Sequence, residues 1–322
     1  MGSEVFKVVI TDSYHPTMHN EKEIFKELNV DLTLAQTKNE DELMYATQDA
    51  HALMVQHAQI TRRIIENLRQ CKIIARYGVG YDNIDLKAAT ECGIMASNVP
   101  DYCTDEVSAH AIALLMACSR KLFSLDRSVR NKEWTYLAGE PIFKLYGQTL
   151  GIIGLGRIGK ATAQKGIGLG FKVKVYDPYV SYSELDVKFT GLDDLLNSSD
   201  FVSLHCPLTE ETRHMIGKDE FKKMKSSAFL INTARGPVVD SKALYNALEK
   251  DIIAGAGIDV TEPEPLTLDH PLRSLDNLII TPHTAWYSEN SQKLLQQETA
   301  RAVLSVLKGG KPRSLVNPEV LM

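Results

Sequence analysis

The sequence predicts an α/β protein of two doubly wound, parallel-sheet domains, and three observations carry that expectation. Short Val-, Ile- and Leu-rich runs alternate with amphipathic stretches, a rhythm that yields parallel strands covered by helices on both faces. The chain has 322 residues, against roughly 150 for one domain. The texture breaks near residue 100, and a second alternating series begins at Thr149.

The elements follow in order. Phe6 to Ile10 reads as a strand and Glu21 to Leu28 as a helix. Ala52 to Met54 and Ile73 to Arg76 read as strands, with Arg62 to Leu68 as the helix between them. Each strand-to-helix turn then lies at the carboxyl edge of a sheet, where open α/β folds bind ligands. Asn98-Val99-Pro100-Asp101 closes the first series, because Pro100 biases Val99 away from helix. In "TDEVSAHAIALLMACSRKL", Thr104 reads as an N-cap, with Asp105 and Glu106 complementing the helix dipole. This stretch is apolar nearly all round, which predicts a buried connecting helix with His110 as a core or interface histidine. Residues 123 to 147 read as irregular and carry Trp134, Tyr136, Phe143 and Tyr146. An excursion of that length in a compact chain serves function or an interface, and it reads as a dimerisation arm. The second βαβ series runs from Thr149 to about Ile280. A last amphipathic helix, from about Glu289 to Leu307, stops at Gly309-Gly310.

Composition excludes several classes. At 44% hydrophobic and 24% charged residues, the chain is of ordinary globular type. Its net charge is 36 − 41 = −5 with no basic block, which argues against nucleic acid and anionic membrane surfaces. The first residues, Met-Gly-Ser-Glu-Val-Phe-Lys, lack a signal-peptide layout. The apolar stretch around Ala111 to Cys118 is far short of the ~20 residues that span a bilayer. Five cysteines without a C-x-x-C pair argue against a disulfide framework or a structural zinc site, and favour a reducing, cytoplasmic setting. His15 and His19 are separated by Pro16 with no acidic cluster beside them, so they read as a solvated loop and no metal is expected.

"TLGIIGLGRIGKA" contains Gly154-x-Gly156-x-x-Gly159, preceded by an apolar strand from Leu150 to Ile153 and followed by a helix from Arg157. In a dinucleotide fingerprint Gly154 allows the tight turn, Gly156 admits the pyrophosphate, and Gly159 lets helix and strand pack closely. The helix N-terminus offers N–H groups and partial positive charge to phosphates. The next strand, "KVKVYD", ends in Asp177, eighteen residues after Gly159. A carboxylate there accepts hydrogen bonds from the adenosine ribose and repels a 2′-phosphate. Pro178-Tyr179-Val180 supplies no Arg, so NAD(H) is expected over NADP(H). "GIGLG", from Gly166 to Gly170, precedes a strand and reads as the end of the fingerprint helix.

Three later segments add chemistry. "AFLINTARG" places Arg235 after a strand, "GAGIDVTEPEP" places Asp259 at a strand end with Glu264 beyond it, and "LIITPHTAW" places His283 at another strand end. A guanidinium can grip a carboxylate and polarise a carbonyl. An imidazolium can protonate the carbonyl oxygen as hydride reaches carbon, and a carboxylate behind it can orient it and raise its pKa. Singly these residues say little, and Glu262 is an alternative to Glu264. Their coincidence with the fingerprint points to reduction of a 2-oxo acid.

Here the chain resembles the D-isomer-specific 2-hydroxyacid dehydrogenases. "RYGVGYDNIDLKAA", "NVPDYCTDEV", "GIIGLGRIGKATA", "LHCPLTEETRHMI", "INTARGPVVD", "GIDVTEPEP" and "ITPH" all look like signatures of that family. The resemblance implies Arg235, Glu264 and His283 as the catalytic set, which selects Glu264 over Glu262. It implies that Arg157 and Ile158 touch the pyrophosphate, and that Thr104, Cys206, Pro207, Thr233, Ala234 and Asp259 line the cofactor. Val79 and Gly80 would hold the substrate carboxylate through backbone N–H groups, with Gln56 also on the substrate side. It further implies two Rossmann-like domains, the nucleotide-binding one (102–289) inserted into a flavodoxin-like substrate domain (1–101 plus 290–322), and a homodimer formed through the arm.

Within the family, "NVPDYCTDEV" and "PHTAWYSE" look like the branch of the C-terminal-binding proteins and their bacterial relatives. Trp286 reads either as the anchor of the last helix or as a wall of the substrate pocket favouring a larger apolar side chain. The expected substrate is a small 2-oxo or 2-hydroxy acid. Glyoxylate, hydroxypyruvate or phosphoglycerate chemistry is the alternative, although Val55-Gln56-His57-Ala58 offers no Arg to a phosphate. An NADH-sensing corepressor-like scaffold is the reading of another class.

Overall fold

The structure is a computed structural model, described over residues 5–322. It divides into two compact units, residues 1–103 with 288–322 and residues 104–287. The first begins with β1 (Phe6–Ile10), α1 (His19–Phe25), β2 (Val30–Leu34), α2 (Glu40–Thr47) and β3 (Ala52–Val55). It continues with α3 (Arg62–Asn67), β4 (Ile73–Arg76), α4 (Leu86–Glu91) and β5 (Met95–Ser97). These strands form an all-parallel sheet in the order β2-β1-β3-β4-β5. The central strands are buried on both faces; Leu53, Met54, Val55, Ile73 and Ile74 are each 0% exposed. Such burial stabilises by about 1.5–3 kcal/mol per large aliphatic side chain. It also explains why these strands read as unbroken apolar runs without alternation.

The second unit starts with α5 (Thr104–Ser119) and α6 (Leu122–Arg130), then β6 (Thr149–Ile153), α7 (Arg157–Gly168), β7 (Lys172–Tyr176), β8 (Val187–Phe189), α8 (Leu192–Ser198) and β9 (Phe201–Leu204). After these come α9 (Lys218–Lys223), β10 (Phe229–Asn232), α10 (Ser241–Glu249), β11 (Gly255–Ile258) and β12 (Leu278–Ile280). Its seven strands are parallel in the order β12-β11-β10-β9-β6-β7-β8. Helices α5 and α7 pack together on one face, over a core that includes Leu114, Leu115, Ile152 and Ile231. On the other face Leu195, Phe221, Leu244 and Leu248, from α8, α9 and α10, fill the core with Val202 and Leu230. The strand order reverses between β6 and β9, the kind of position at which open sheets bind ligands.

The chain then returns to the first unit as α11 (Glu289–Leu307). Ser288 caps it, accepting from Ser291 N at 2.9 Å, and it packs against α1, β3 and β4. Beyond it Asn317 accepts from Ala96 N at 2.7 Å and donates to Ile94 O at 3.0 Å, fastening the last segment beside β5.

Three local expectations need correction. The arm is not irregular throughout, because its first part is α6 and a 3-10 turn spans Leu137–Gly139; basic residues in the last turn of α6 (Arg127, Arg130) suit a helix end. His15 does not lie in a solvated loop. It packs edge-on against Tyr77 at 5.3 Å, and burial pushes its imidazole down to about 4. Helix α1 begins at His19 and ends at Phe25, earlier at both ends than the periodicity suggests. Of the two glycines near the end of α7, Gly166 has a packing reason, since a Cβ there would stand 2.6 Å from Leu150 Cδ2. Gly168 has none, with open space around its missing Cβ.

Candidate active site

Strand register sets the site. Ile153 pairs with Tyr176 and Leu204, Asn232 with Leu204 and Ile258, and Ile258 with Ile280. The residues that follow these ends, Gly154, Asp177, His205, Thr233, Asp259 and Thr281, therefore emerge along one carboxyl edge of the seven-stranded sheet.

At the middle of that edge Gly154 turns with φ +91°, and a Cβ on it would stand 2.8 Å from Cys206 N. Gly159 is tighter, since its Cβ would lie 2.0 Å from Gly154 O. Gly156 is the opposite case. It caps α7 without a side-chain hydrogen bond, and nothing lies within 4 Å of where its Cβ would be. The N-terminus of α7, with Arg157 and Ile158 as its first residues, is thus bare backbone facing open space, which suits a pyrophosphate.

Asp177 is held in place by three backbone N–H groups. Its Oδ2 accepts from Leu155 N at 2.7 Å, and its Oδ1 accepts from Tyr179 N at 2.8 Å and Val180 N at 3.0 Å. A carboxylate has about four acceptor positions, so capacity for a ribose hydroxyl persists. After β9, Cys206 and Pro207 follow His205, and burial pushes the Cys206 thiol up to about 11, which keeps it neutral. After β10, Asn232 pins the next turn by accepting from Ala234 N at 3.0 Å and donating to Arg235 O at 2.9 Å. Thr233 is 9% exposed, and its Oγ1 is buried with no hydrogen-bond partner. A buried hydroxyl without a partner is costly in the protein alone and fits a polar group of a bound cofactor.

The acid–base residues lie beyond β11 and β12. Glu264 Oε1 is 2.5 Å from His283 Nδ1, and Glu264 Oε2 accepts from Thr261 N at 3.3 Å. Glu262 faces elsewhere, to Arg213 at 2.9 Å and His214 at 2.7 Å. Burial works against its charge, yet those two partners hold its carboxyl below the usual range. His283 sits in the left-handed region at φ +51°, uncommon for a non-glycine residue. The neighbours hold it there: His283 N donates to Asp259 O at 2.8 Å, and Trp286 Nε1 donates to His283 O at 3.0 Å. Arg235 Nη1 donates to Ala234 O at 2.8 Å.

Asp259 has a role that sequence reasoning missed. Its carboxylate accepts from Thr281 Oγ1 at 2.5 Å, Thr284 N at 2.9 Å and Ala285 N at 2.8 Å, which builds the turn that carries His283. His205 was also missed. Its Nδ1 is buried without a partner, its Nε2 lies 2.9 Å from Ser203 Oγ, and burial pushes its imidazole down to about 3. Its place directly after a strand end was the available signal. Thr104 is the first residue of α5 instead of preceding it.

The remaining expected residues belong to the first unit. Gln56 follows β3, is 4% exposed, and accepts from Tyr14 N through Oε1 at 2.9 Å. Its loop is fixed by Asp12, which accepts from the N–H groups of Gln56, His57 and Ala58 at 3.3, 2.9 and 3.1 Å. Val79 and Gly80 are half-buried in the loop after β4, where Asn98 Nδ2 donates to Val79 O at 2.6 Å.

Residues 112–285 match the NAD-binding domain of the D-isomer-specific 2-hydroxyacid dehydrogenases. The chain is 44% identical over 269 residues to a glyoxylate reductase of Korarchaeum cryptofilum, covering 81% of each chain. It is 37% identical over 316 residues to the D-3-phosphoglycerate dehydrogenase of Methanocaldococcus jannaschii, covering 97% of this chain and 59% of that one. The crystal structure of an Aquifex aeolicus D-lactate dehydrogenase with NAD and lactic acid superposes with a TM-score of 0.87 at 31% identity, over 96% of this chain and 99% of the other. Fold, site and relatives together define an oxidoreductase that acts on a CH–OH group with NAD(H) as cofactor. The chain belongs to the D-isomer-specific 2-hydroxyacid dehydrogenase family.

Proposed function

We propose that this enzyme interconverts a 2-oxo acid and its D-2-hydroxy acid, with Arg235, Glu264 and His283 as its catalytic set. The pairing of Glu264 Oε1 with His283 Nδ1 at 2.5 Å carries the reading. That hydrogen bond fixes the imidazole plane and leaves Nε2 as the nitrogen turned away from Glu264, the one that gives its proton to the substrate carbonyl oxygen. In the reverse direction neutral His283 takes the hydroxyl proton. Arg235 grips the substrate carboxylate and polarises the adjacent carbonyl. The cofactor supplies or receives the hydride at C2. The α7 N-terminus would hold its pyrophosphate and Asp177 its adenosine ribose, while Thr233, Ala234, Cys206 and Pro207 would line it. Gln56, Val79 and Gly80 are kept as substrate-side residues on the strength of the family resemblance.

For the substrate we propose an acid with an apolar side chain larger than that of glyoxylate. Trp286 is fixed to the His283 carbonyl through its only polar atom, so the remainder of the indole offers a substrate carbon alone. The resemblance to the C-terminal-binding-protein branch rests on this segment, "PHTAWYSE", together with "NVPDYCTDEV". A glyoxylate or hydroxypyruvate substrate is the second reading, favoured by the glyoxylate reductases among the relatives. Phosphoglycerate fits less well. The two arginines that follow the Gln56 loop in the chain, Arg62 and Arg63, are paired with Glu91 and Glu66 and with Glu40 and Asp41. NADH oxidation against glyoxylate, hydroxypyruvate, phosphohydroxypyruvate, pyruvate, 4-methylthio-2-oxobutyrate and phenylpyruvate tests both assignments. Turnover highest with the last two supports the apolar reading, and glyoxylate at the top replaces it. No turnover in protein that binds NADH moves the case to the corepressor-like scaffold.

A homodimer in the cytoplasm completes the proposal. Phe123, Trp134, Tyr136, Leu137, Phe143 and Tyr146 of the arm are 57, 91, 75, 57, 54 and 73% exposed, and so many exposed large apolar side chains in one segment support an interaction role for it. Light scattering of the purified chain, which should give twice the chain mass, checks this. All five cysteines are free thiols, which suits a reducing compartment, and among the described residues no helix is long and apolar enough to cross a membrane.

A further inference from the structure

We infer that His110 is a positioning residue for His283, acting through Thr281 and Asp259 as a donor of fixed tautomer. The inference rests on the reading of His283 as the proton donor. His110 lies on α5, and its Nε2 is 3.0 Å from Thr281 Oγ1 and 3.7 Å from Asp259 Oδ1. Thr281 Oγ1 is in turn 2.5 Å from Asp259 Oδ1.

Counting protons fixes every direction in this chain of contacts. A carboxylate accepting two backbone N–H groups is an acceptor, so the single hydroxyl proton of Thr281 points to Asp259. The Thr281 oxygen is then left as an acceptor toward His110. His110 must therefore carry a proton on Nε2; with Nε2 bare, two lone pairs would face each other at 3.0 Å.

The chain ends on the His283 turn. Asp259 O accepts from His283 N at 2.8 Å, and the two oxygens of its carboxylate accept from Thr284 N and Ala285 N at 2.9 and 2.8 Å. Asp259 is 2% exposed, so water is a poor substitute for any donor it loses. The left-handed backbone of His283, φ +51°, stays in place because this carboxylate is anchored, and the Thr281 hydroxyl with His110 behind it is the side-chain part of that anchor. Misplacing a catalytic group by about 1 Å lowers turnover by about 100-fold. His110 touches none of the reacting atoms in this scheme and sets where His283 stands.

Two measurements on the full-length enzyme test the inference. In 15N-histidine-labelled wild type, the His110 resonances, assigned by their loss in H110Q, should report the Nε2-protonated form at neutral pH; the Nδ1-protonated form overturns it. In steady-state kinetics H110L and T281V should each lower kcat by about 10- to 100-fold, with the Kd for NADH within threefold of wild type. H110Q and T281S, which restore a donor and a hydroxyl, should recover to within about fivefold. The H110L/T281V double variant should be no worse than the poorer single one, since both break one chain. Additive losses, unchanged kcat, or failure of both conservative variants to rescue overturn the proposal. Should T281V not fold, the tautomer and the H110L/H110Q pair still decide. H283A distinguishes the two layers: full turnover in H283A removes the proton-donor reading, while the His110 tautomer is read independently of it.

Discussion

Glu264 and Glu262 are two residues apart, yet only Glu264 reaches His283, through Oε1 at 2.5 Å from Nδ1. Glu262 is engaged by Arg213 and His214, partners contributed by the segment after β9. A two-residue offset in a loop thus separates a carboxylate that can orient the acid–base histidine from one that braces the loop.

Variants at these two positions should behave differently. H283A should lower kcat by about 100- to 10,000-fold with NADH binding retained, and E264Q should lower it by about 10- to 100-fold while displacing the pH–rate profile. E262Q should stay within about threefold of wild type. Equal losses in E264Q and E262Q would show that the pair acts only through loop structure.

Asp177 should decide between cofactors. D177N keeps an Oδ1 acceptor for the Tyr179 and Val180 N–H groups, replaces the oxygen facing Leu155 N by an amide nitrogen, and removes the charge. It should weaken NADH binding by about tenfold or more, as expected for a lost charged hydrogen bond, and change NADPH binding much less. Cofactor fluorescence titration reads both; parallel losses would remove the ribose contact from the account.

Trp286 should separate substrate shape from histidine placement. W286F keeps an aromatic face and loses the N–H donated to His283 O, so kcat should fall for every acid by a similar factor. W286A should additionally lower kcat/KM for phenylpyruvate relative to glyoxylate, by about tenfold for a lost apolar contact of 1–3 kcal/mol. An unchanged ratio would leave Trp286 with a packing role alone.

His205 predicts an acid-side loss of stability. Its imidazole is pushed down to about 3 by burial, against an ordinary value of about 6.5. Between those limits the unfolded chain takes up a proton that the folded chain refuses. The stabilisation is therefore complete above about pH 6.5 and declines as pH falls toward 3, by at most about 1.4 kcal/mol per pH unit. Urea denaturation at pH 7, 6 and 5 should show a shallower decline in H205Q than in wild type, and identical slopes would mean that solvent reaches the ring.

Much of this was legible in sequence because several signals coincide at single positions. The fingerprint glycines sit between an apolar strand and a helix, and their backbone requirements are local. Helix α11 carries both its Ser288 cap and its glycine stop in the chain, and its span of Glu289–Leu307 agrees with the expected one. Choosing between Glu262 and Glu264 from the residues alone was not possible, because their environments depend on Arg213, His214 and His283, all distant in sequence. The Asp259 anchor was hidden for the same reason: its acceptors are filled by groups from residues 281 to 285. Helix α6 was obscured by flanking aromatic residues that suggested an extended arm.

The return of the chain to its first sheet also imposes an order on biosynthesis. The seven-stranded sheet is complete once residue 287 has been made, whereas the five-stranded sheet needs α11 and the Asn317 fastening from the far end of the polypeptide. On the ribosome the later-encoded unit can bury its core while the earlier-encoded one waits with an uncovered face. Translation therefore leaves β3 and β4 uncovered until α11 is made and β5 unfastened until residue 317 follows, and that interval is when a nascent chain is most open to chaperones and to mispairing.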